Sequence, residues 1–264
     1  MIIRFPGEPA RSTPNCLADS RTARCHNDPM SLVDDLAPTG SLRAAINLGN
    51  AVLAQGSPEE PSGITVDVAR ELGGRLGIPV ELLCVDSARA SFETMNQGRA
   101  DICFLAVEPA RAESVAFTAP YVIIEGVFVV PQASAMTSPA DVDRPGVRIG
   151  VSEGSAYDLY LTRTLAHAQL VRVPDGAEAF SEQQLEATAG VRQPMEAFVA
   201  SHPGVRVIEP RFMEIQQAVG TTRGRDAATV GFLHTFVEEL KANGFVAEAL
   251  RRSGQVASVA PSAG

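Results

Sequence analysis

Arg111 is the side chain best suited to do chemistry in this sequence, because of what precedes it. An apolar run from Ile102 to Val107 reads as a buried strand, and Glu108-Pro109-Ala110 then turns the chain to present one guanidinium. Phe117-Thr118-Ala119-Pro120-Tyr121 follows as a second extended stretch. Parallel sheets bind ligands beyond the C-terminal ends of their strands. The planar fork of arginine grips a carboxylate through two parallel hydrogen bonds. The expected chemistry is anion capture, with Arg111 as the clamp and Ala106 lining the strand end beside it. The competing reading is a surface arginine paired with Glu108 or Glu113, which would contribute little.

A second constellation is Gly154-Ser155-Ala156, placed between a strand at Val147–Val151 and a helix. A glycine turn feeding a helix leaves backbone N–H groups unpaired and available to an anion. An ordinary capped helix start needs the same residues, so both readings stand. Gly150-Val151-Ser152-Glu153-Gly154 also matches the Gly-x-Ser-x-Gly pattern of hydrolase nucleophiles. His167, His202 and His234 follow it without a triad arrangement, so hydrolysis is not favoured. Asn47 and Asn50 could hydrogen-bond a ligand or serve as turn residues. The histidines are scattered, and neither a metal nor a cofactor is expected.

Two α/β units must position these residues. In the first, Ser41–Ile46 and Val80–Val85 read as strands. A helix with Val68, Leu72 and Leu76 on one face lies between them, ended by Gly77 and Pro79. A helix bearing Ala88, Phe92 and Met95 then leads to the strand of Ile102. The second unit begins near Pro131 and alternates strands at Val147–Val151, Leu170–Val173 and Leu185–Ala189 with helices, one of them started by Pro194. Val205–Ile208 and Ile215–Gly220 read as two further extended stretches, and a long helix spans Asp226 to Asn243. Alternation with short links implies parallel pairing and right-handed crossovers.

The strand before Arg111, the Pro120-Tyr121 after it and the Gly154-Ser155 loop together resemble the signature of the family 3 periplasmic solute-binding proteins, amino-acid receptors of ABC importers. The resemblance covers roughly residues 40–260 and implies a type 2 periplasmic binding protein fold: two α/β lobes, a two-stranded hinge and a ligand in the interlobe cleft. It implies lobe 1 at 40–126 plus 219–264, lobe 2 at 127–218, and crossings at Glu125–Pro131 and Gln216–Thr221. It further implies reversible binding of a small organic anion, an amino acid or another carboxylic acid, and an ABC permease as partner.

Departures from the family wording are as informative. Glu108 stands where the family has a threonine hydroxyl. Facing a ligand carboxylate at about 4 Å, it would cost about 4 kcal/mol at an effective dielectric near 20. Glu108 therefore either folds onto Arg111, binds a cationic part of the ligand, or is protonated and acts as a general acid. The last reading would make the chain an enzyme resembling cyclohexadienyl dehydratases; a cytoplasmic ligand sensor is a third reading. The family aspartate expected after Leu185–Ala189 is replaced by Gly190-Val191-Arg192-Gln193. Arg192 is then either a second cation in the cleft or an exposed helix-start residue.

Bulk properties narrow the partners. With 264 residues, 45% hydrophobic and 20% charged, the chain has the composition of a globular protein. A net charge of −9 leaves no basic stripe to track phosphates, so nucleic acid is not an expected partner. The longest apolar run, Tyr121 to Val130, is broken by Glu125 and Gly126 and falls short of the roughly 20 residues of a membrane span. The first 39 residues read as a polar, disordered or non-native head. It contains no apolar signal region, and Met30 is an alternative start. As written, the expectation is a cytoplasmic chain; with a trimmed or misassigned start, a periplasmic one. Cys16 and Cys25 fall in this head and Cys84 and Cys103 in apolar strands, so no disulfide is expected.

Overall fold

The computed structural model describes residues 29–263; the expectations for Cys16, Cys25 and the rest of the head before residue 29 lie outside them. In chain order come α1 (Pro29–Leu36), β1 (Leu42–Asn47), a hairpin of β2 (Gln55–Gly56) and β3 (Pro61–Ser62), α2 (Ile64–Leu76), β4 (Val80–Val85), α3 (Ala88–Asn96), β5 (Ile102–Ala106) and α4 (Pro109–Ala112). A long strand, β6 (Val115–Pro131), leads to β7 (Arg148–Ser152), α5 (Ala156–Thr164), β8 (Gln169–Val173), α6 (Gly176–Glu182), β9 (Ala187–Val191) and α7 (Arg192–Ser201). A second long strand, β10 (Val205–Thr222), returns before α8 (Ala227–Ala242), α9 (Phe245–Arg252) and β11 (Ser258–Val259).

The sheet order is β4-β1-β5-β10-β6-β9-β7-β8, with β11 added on β6. At one end β1 pairs in parallel with β4 and β5; at the other β7 pairs in parallel with β8 and β9. Both parallel units are joined through β6 and β10, which run antiparallel to one another. Each unit has its own apolar core. Ile46, Leu72, Ile102, Tyr121 and Leu240 belong to one, while Phe128, Val130, Ile149, Leu161 and Ala187 belong to the other. The two long strands contribute to both. Ile124 packs in the first core and Phe128 in the second; along β10 the change falls between Ile208 and Met213.

Local chemistry explains the elements that flank the cleft. α2 buries Ile64, Val68 and Leu72 at helical spacing and ends where Gly77 takes φ 66, donating its N–H to the Gly73 and Gly74 carbonyls. The Ser87 hydroxyl accepts the Ala90 N–H at 3.2 Å and so caps α3. Gly49 is required by close approach: a Cβ there would lie 2.0 Å from the Asp86 carbonyl oxygen, at the edge where β1 and β4 end.

Several elements differ from the sequence reading. The stretches at Val205–Ile208 and Ile215–Gly220 are parts of one strand, β10, whose pairing with β6 is interrupted by a register shift between Ile208 and Met213 and resumes at Met213. α7 begins at Arg192, two residues before Pro194. Part of the expected head is helical: α1 ends in Leu36, which is fully buried, and the Asp226 N–H donates to the Asp35 carboxylate at 3.0 Å. α9 follows α8 directly across Gly244, at φ 83. Among the described residues, no helix is long and apolar enough to cross a membrane.

Candidate functional site

A cavity of about 570 Å³ lies where the C-terminal ends of the two parallel units face each other. That volume falls within the range of small-molecule sites. The end of β1 and the turns after β1 and β4 contribute Asn47, Asn50, Asp86 and Ser87 from one side; the end of β7 and the turn into α5 contribute Ser152, Glu153, Ser155 and Ala156 from the other. Phe104 and Ala106 of β5 and Ile215 and Gln217 of β10 line it where the units join.

Arg111 lines this cavity and is only 2% exposed. Its Nη1 donates to the Ala106 carbonyl at 3.2 Å, and its Nη2 donates to the Gly154 carbonyl at 2.8 Å. The guanidinium therefore touches both units at once. Among the described residues no carboxylate lies within ion-pairing distance of it. Burial pushes its pKa down to about 10, opposed by the Glu108 charge, so it remains a cation at neutral pH. A buried cation held only by carbonyl dipoles is expensive to maintain unless an anion joins it.

On the opposing wall, Ser155 caps α5: its Oγ accepts the Asp158 N–H at 3.1 Å. Two of the amides expected to be free are engaged. The Gly154 N–H donates to the Asp158 carboxylate at 2.9 Å, and the Ser155 N–H donates to the Ser152 carbonyl at 3.1 Å. The Ala156 and Tyr157 N–H groups have no acceptor among the described residues, and both residues line the cavity. So the helix-start residues serve first as a cap, and the open donors sit one and two positions later. Gly154 takes φ 71, and a Cβ there would lie 2.9 Å from the Arg89 side chain.

Asn47 and Asn50 serve both of the roles considered for them. The Asn47 Oδ1 accepts the Gly49 N–H at 3.0 Å and the Asn50 Oδ1 accepts the Val52 N–H at 3.3 Å. These turns use the acceptor end of each carboxamide and leave the NH2 donors unengaged beside the cavity. Acidic residues stand along the same cavity. Glu153 pairs with Arg89 at 2.6 Å, and Asp175 accepts the Ala177 N–H at 2.9 Å as the cap of α6. Asp86 has no ion-pair partner among the described residues and is exposed.

Two sequence candidates are corrected. Glu108 is 3% exposed, does not line the cavity, and is bound by the Arg163 guanidinium, with Nη2 to Oε1 at 3.4 Å and a shorter contact from Nη1 to Oε2. Arg163 reaches it from α5 and lies over the Tyr160 ring, 5.1 Å from its centroid. With that partner, Glu108 neither folds onto Arg111 nor presents a proton to the cavity. Arg192 is also outside the cavity. It pairs with Glu209 at 2.5 and 2.9 Å, with Glu196 at 3.4 Å and with Glu125. The hydrogen bond with Glu209, ahead of that with Glu125, raises its pKa. Three carboxylates on its own side hold it there.

Gln217 escaped the sequence reading. It is 5% exposed and lines the cavity, and its carboxamide has no hydrogen-bond partner among the described residues. Gln216 beside it is exposed, and only the pairing register decides which of two adjacent glutamines faces inward. No histidine lines the cavity beside Ser152, and no group of three or more His, Cys, Asp or Glu among the described residues could hold a metal ion.

The sequence profile of the bacterial extracellular solute-binding proteins, family 3, matches residues 51–254. No curated protein matches the chain. Solved structures share the fold. An ArgBP mutant from T. maritima superposes with a TM-score of 0.69 at 19% identity, covering 84% of this chain and 99% of that one. The cysteine-binding protein from Campylobacter jejuni gives 0.69 at 20% identity, covering 84% and 92%. An ancestral amino acid-binding protein, described as a precursor of cyclohexadienyl dehydratase, gives 0.66 at 21% identity, covering 84% and 98%.

Proposed function

The chain belongs to the family 3 bacterial extracellular solute-binding proteins, and we propose that it reversibly binds a small carboxylate-bearing solute in the cavity between its two parallel units. In this reading it is the solute-binding component of an ABC-type importer and hands its ligand to a membrane permease. The observation that carries the reading is Arg111, a buried guanidinium facing an open cavity with no carboxylate among the described residues within ion-pairing distance. A ligand carboxylate would supply that charge in bidentate geometry. The free N–H groups of Ala156 and Tyr157 would reach it from the other wall.

Because Arg111 also bonds the Gly154 carbonyl, ligand capture and closure of the two walls act on the same side chain. β6 and β10 are the strands on which such closure would bend, and the ligand would stabilise the closed form by its preference for it. The acidic residues along the cavity, Asp86 above all, suit a ligand that carries a cationic group besides its carboxylate, so an amino acid fits better than a simple anion. Three of the solved structures that share the fold carry amino acids in their descriptions: an arginine-bound ArgBP mutant, the ancestral amino acid-binding protein and the cysteine-binding protein. An enzymatic reading gains nothing from Glu108, which Arg163 holds outside the cavity.

A thermal-shift screen across amino acids, dicarboxylates and aromatic acids tests the proposal. A solute should raise Tm with mass-action dependence on its concentration and be recovered unchanged. Binding undiminished in Arg111→Met would remove the clamp, and conversion of the solute would replace binding with catalysis.

A further inference from the structure

Gln217 is a polar side chain that the fold buries and leaves without a partner. It sits on β10 opposite Ala106 of β5, in antiparallel register. Ile215, two residues earlier on the same strand face, also lines the cavity, whereas Gln216 between them points to solvent. The Gln217 side chain is therefore turned toward the cavity, and its carboxamide meets no donor or acceptor among the described residues. The carboxamide is thus open to the cavity and available to a ligand.

Its position relates it to Arg111. The guanidinium donates through Nη1 to the carbonyl of Ala106, the residue directly opposite Gln217. Directly opposed residues in an antiparallel pair lie within about 5.5 Å, Cα to Cα. Arg111 and Gln217 therefore address the cavity on either side of the same residue, Ala106.

Resting on the carboxylate-binding reading above, we propose that Gln217 is a specificity-determining residue that reads a hydrogen-bonding group, ammonium or hydroxyl, on the carbon next to the ligand carboxylate. The carboxamide oxygen accepts from that group, while its NH2 can donate to the carboxylate or to the hydroxyl oxygen. An acid lacking the substituent leaves the buried oxygen unpaired. Sites built in this way reject such analogues far more strongly than an apolar pocket rejects a missing methylene.

The test is isothermal titration of wild type, Gln217→Met and Gln217→Asn with matched trios of acids. Each trio is an L-amino acid, the 2-hydroxy acid and the unsubstituted acid with the same side chain, taken over the twenty amino acids. Wild type should bind at least one 2-substituted member, and prefer it over its unsubstituted counterpart by roughly 10- to 100-fold, the range of one hydrogen bond to a polar or charged group. Gln217→Met should lose that preference while its affinity for the unsubstituted acid stays within about threefold of wild type. Gln217→Asn, which keeps the amide but shortens its reach, should lose it too and guards against a folding defect in the methionine variant. Preference retained in both variants, or absent in wild type that binds the acids, overturns the role of Gln217 and leaves carboxylate binding standing. If wild type binds no member of any trio, both fall.

Discussion

Arg111 and Arg192 were the two arginines that the sequence offered to the same ligand, and the structure treats them in opposite ways. Arg192 starts a helix, gathers Glu125, Glu196 and Glu209, and is an ordinary ion-pair hub on the flank of β6 and β10. Arg111 is buried at the junction of two units and holds only carbonyl oxygens. The two pKa values move apart for that reason: partners raise one, and burial lowers the other to about 10. The difference teaches that residue type and position after a strand do not decide whether a charge is neutralised within the fold; the partners that fold onto it do.

The comparison breaks most sharply on ligand affinity. Arg111→Met should lower affinity for the solute found by screening by at least about 100-fold, since a desolvated charged contact is removed. Its ligand-free Tm should not fall, because a costly buried cation is removed at the same time. A drop in Tm with unchanged affinity would make Arg111 structural, like its counterpart. Arg192→Ala should do the reverse. Three carboxylates lose their common partner, so stability should fall by about 1–2 kcal/mol, read as a Tm lowered by about 2–8 °C, with affinity unaltered.

A smaller effect is expected at Glu108, the third charged residue near the cleft. Its pair with Arg163 links the β5–α4 turn to α5, and the arginine end is 42% exposed. Such a half-exposed pair is worth up to about 1 kcal/mol, so Glu108→Gln should change apparent ligand affinity only a few-fold. Titration at low and high salt checks this. The wild-type affinity should drift toward that of the variant as salt screens the pair. A complete loss of function in Glu108→Gln would return the residue to catalysis.

The smallest effect lies in pH. Glu186, on the outer flank of β9, has its carboxyl held down to about 2 from 4.5, first by the Arg148 hydrogen bond. A depressed carboxyl contributes stability that is present above its unfolded pKa and lost as pH falls. Tm should therefore decline between about pH 4.5 and 2, and Glu186→Gln should flatten that decline slightly. The group is too exposed for more than about 1 kcal/mol. Ligand affinity should not follow this titration.

Much of the architecture was legible in the sequence because short apolar runs separated by glycine and proline punctuation have few alternatives. The strand Ile102–Ala106, the stop at Gly77 and the cap at Ser155 stand where their chemistry put them. What the sequence hid depends on distant partners. Arg192 could not be told from a ligand contact without knowing that Glu209, 17 residues later, folds back on it. Glu108 needed Arg163, 55 residues away, and Gln217 needed the register of β10 on β5. Glu209–Arg211 look like a loop and are indeed unpaired with β6; the ladder resumes at Met213, which the sequence alone does not show. Arg111, Ser155 and Ala156, named from local pattern, line the cavity, whereas Glu108 and Arg192, named from a gap in a family motif, do not.

β6 and β10 run 17 and 18 residues without a break and enter both apolar cores. The halves are thus joined by a ladder of backbone hydrogen bonds that both strands share. Loosening either end frays strands that the other end needs, so the molecule should melt as one cooperative unit and yield a single calorimetric peak in place of two.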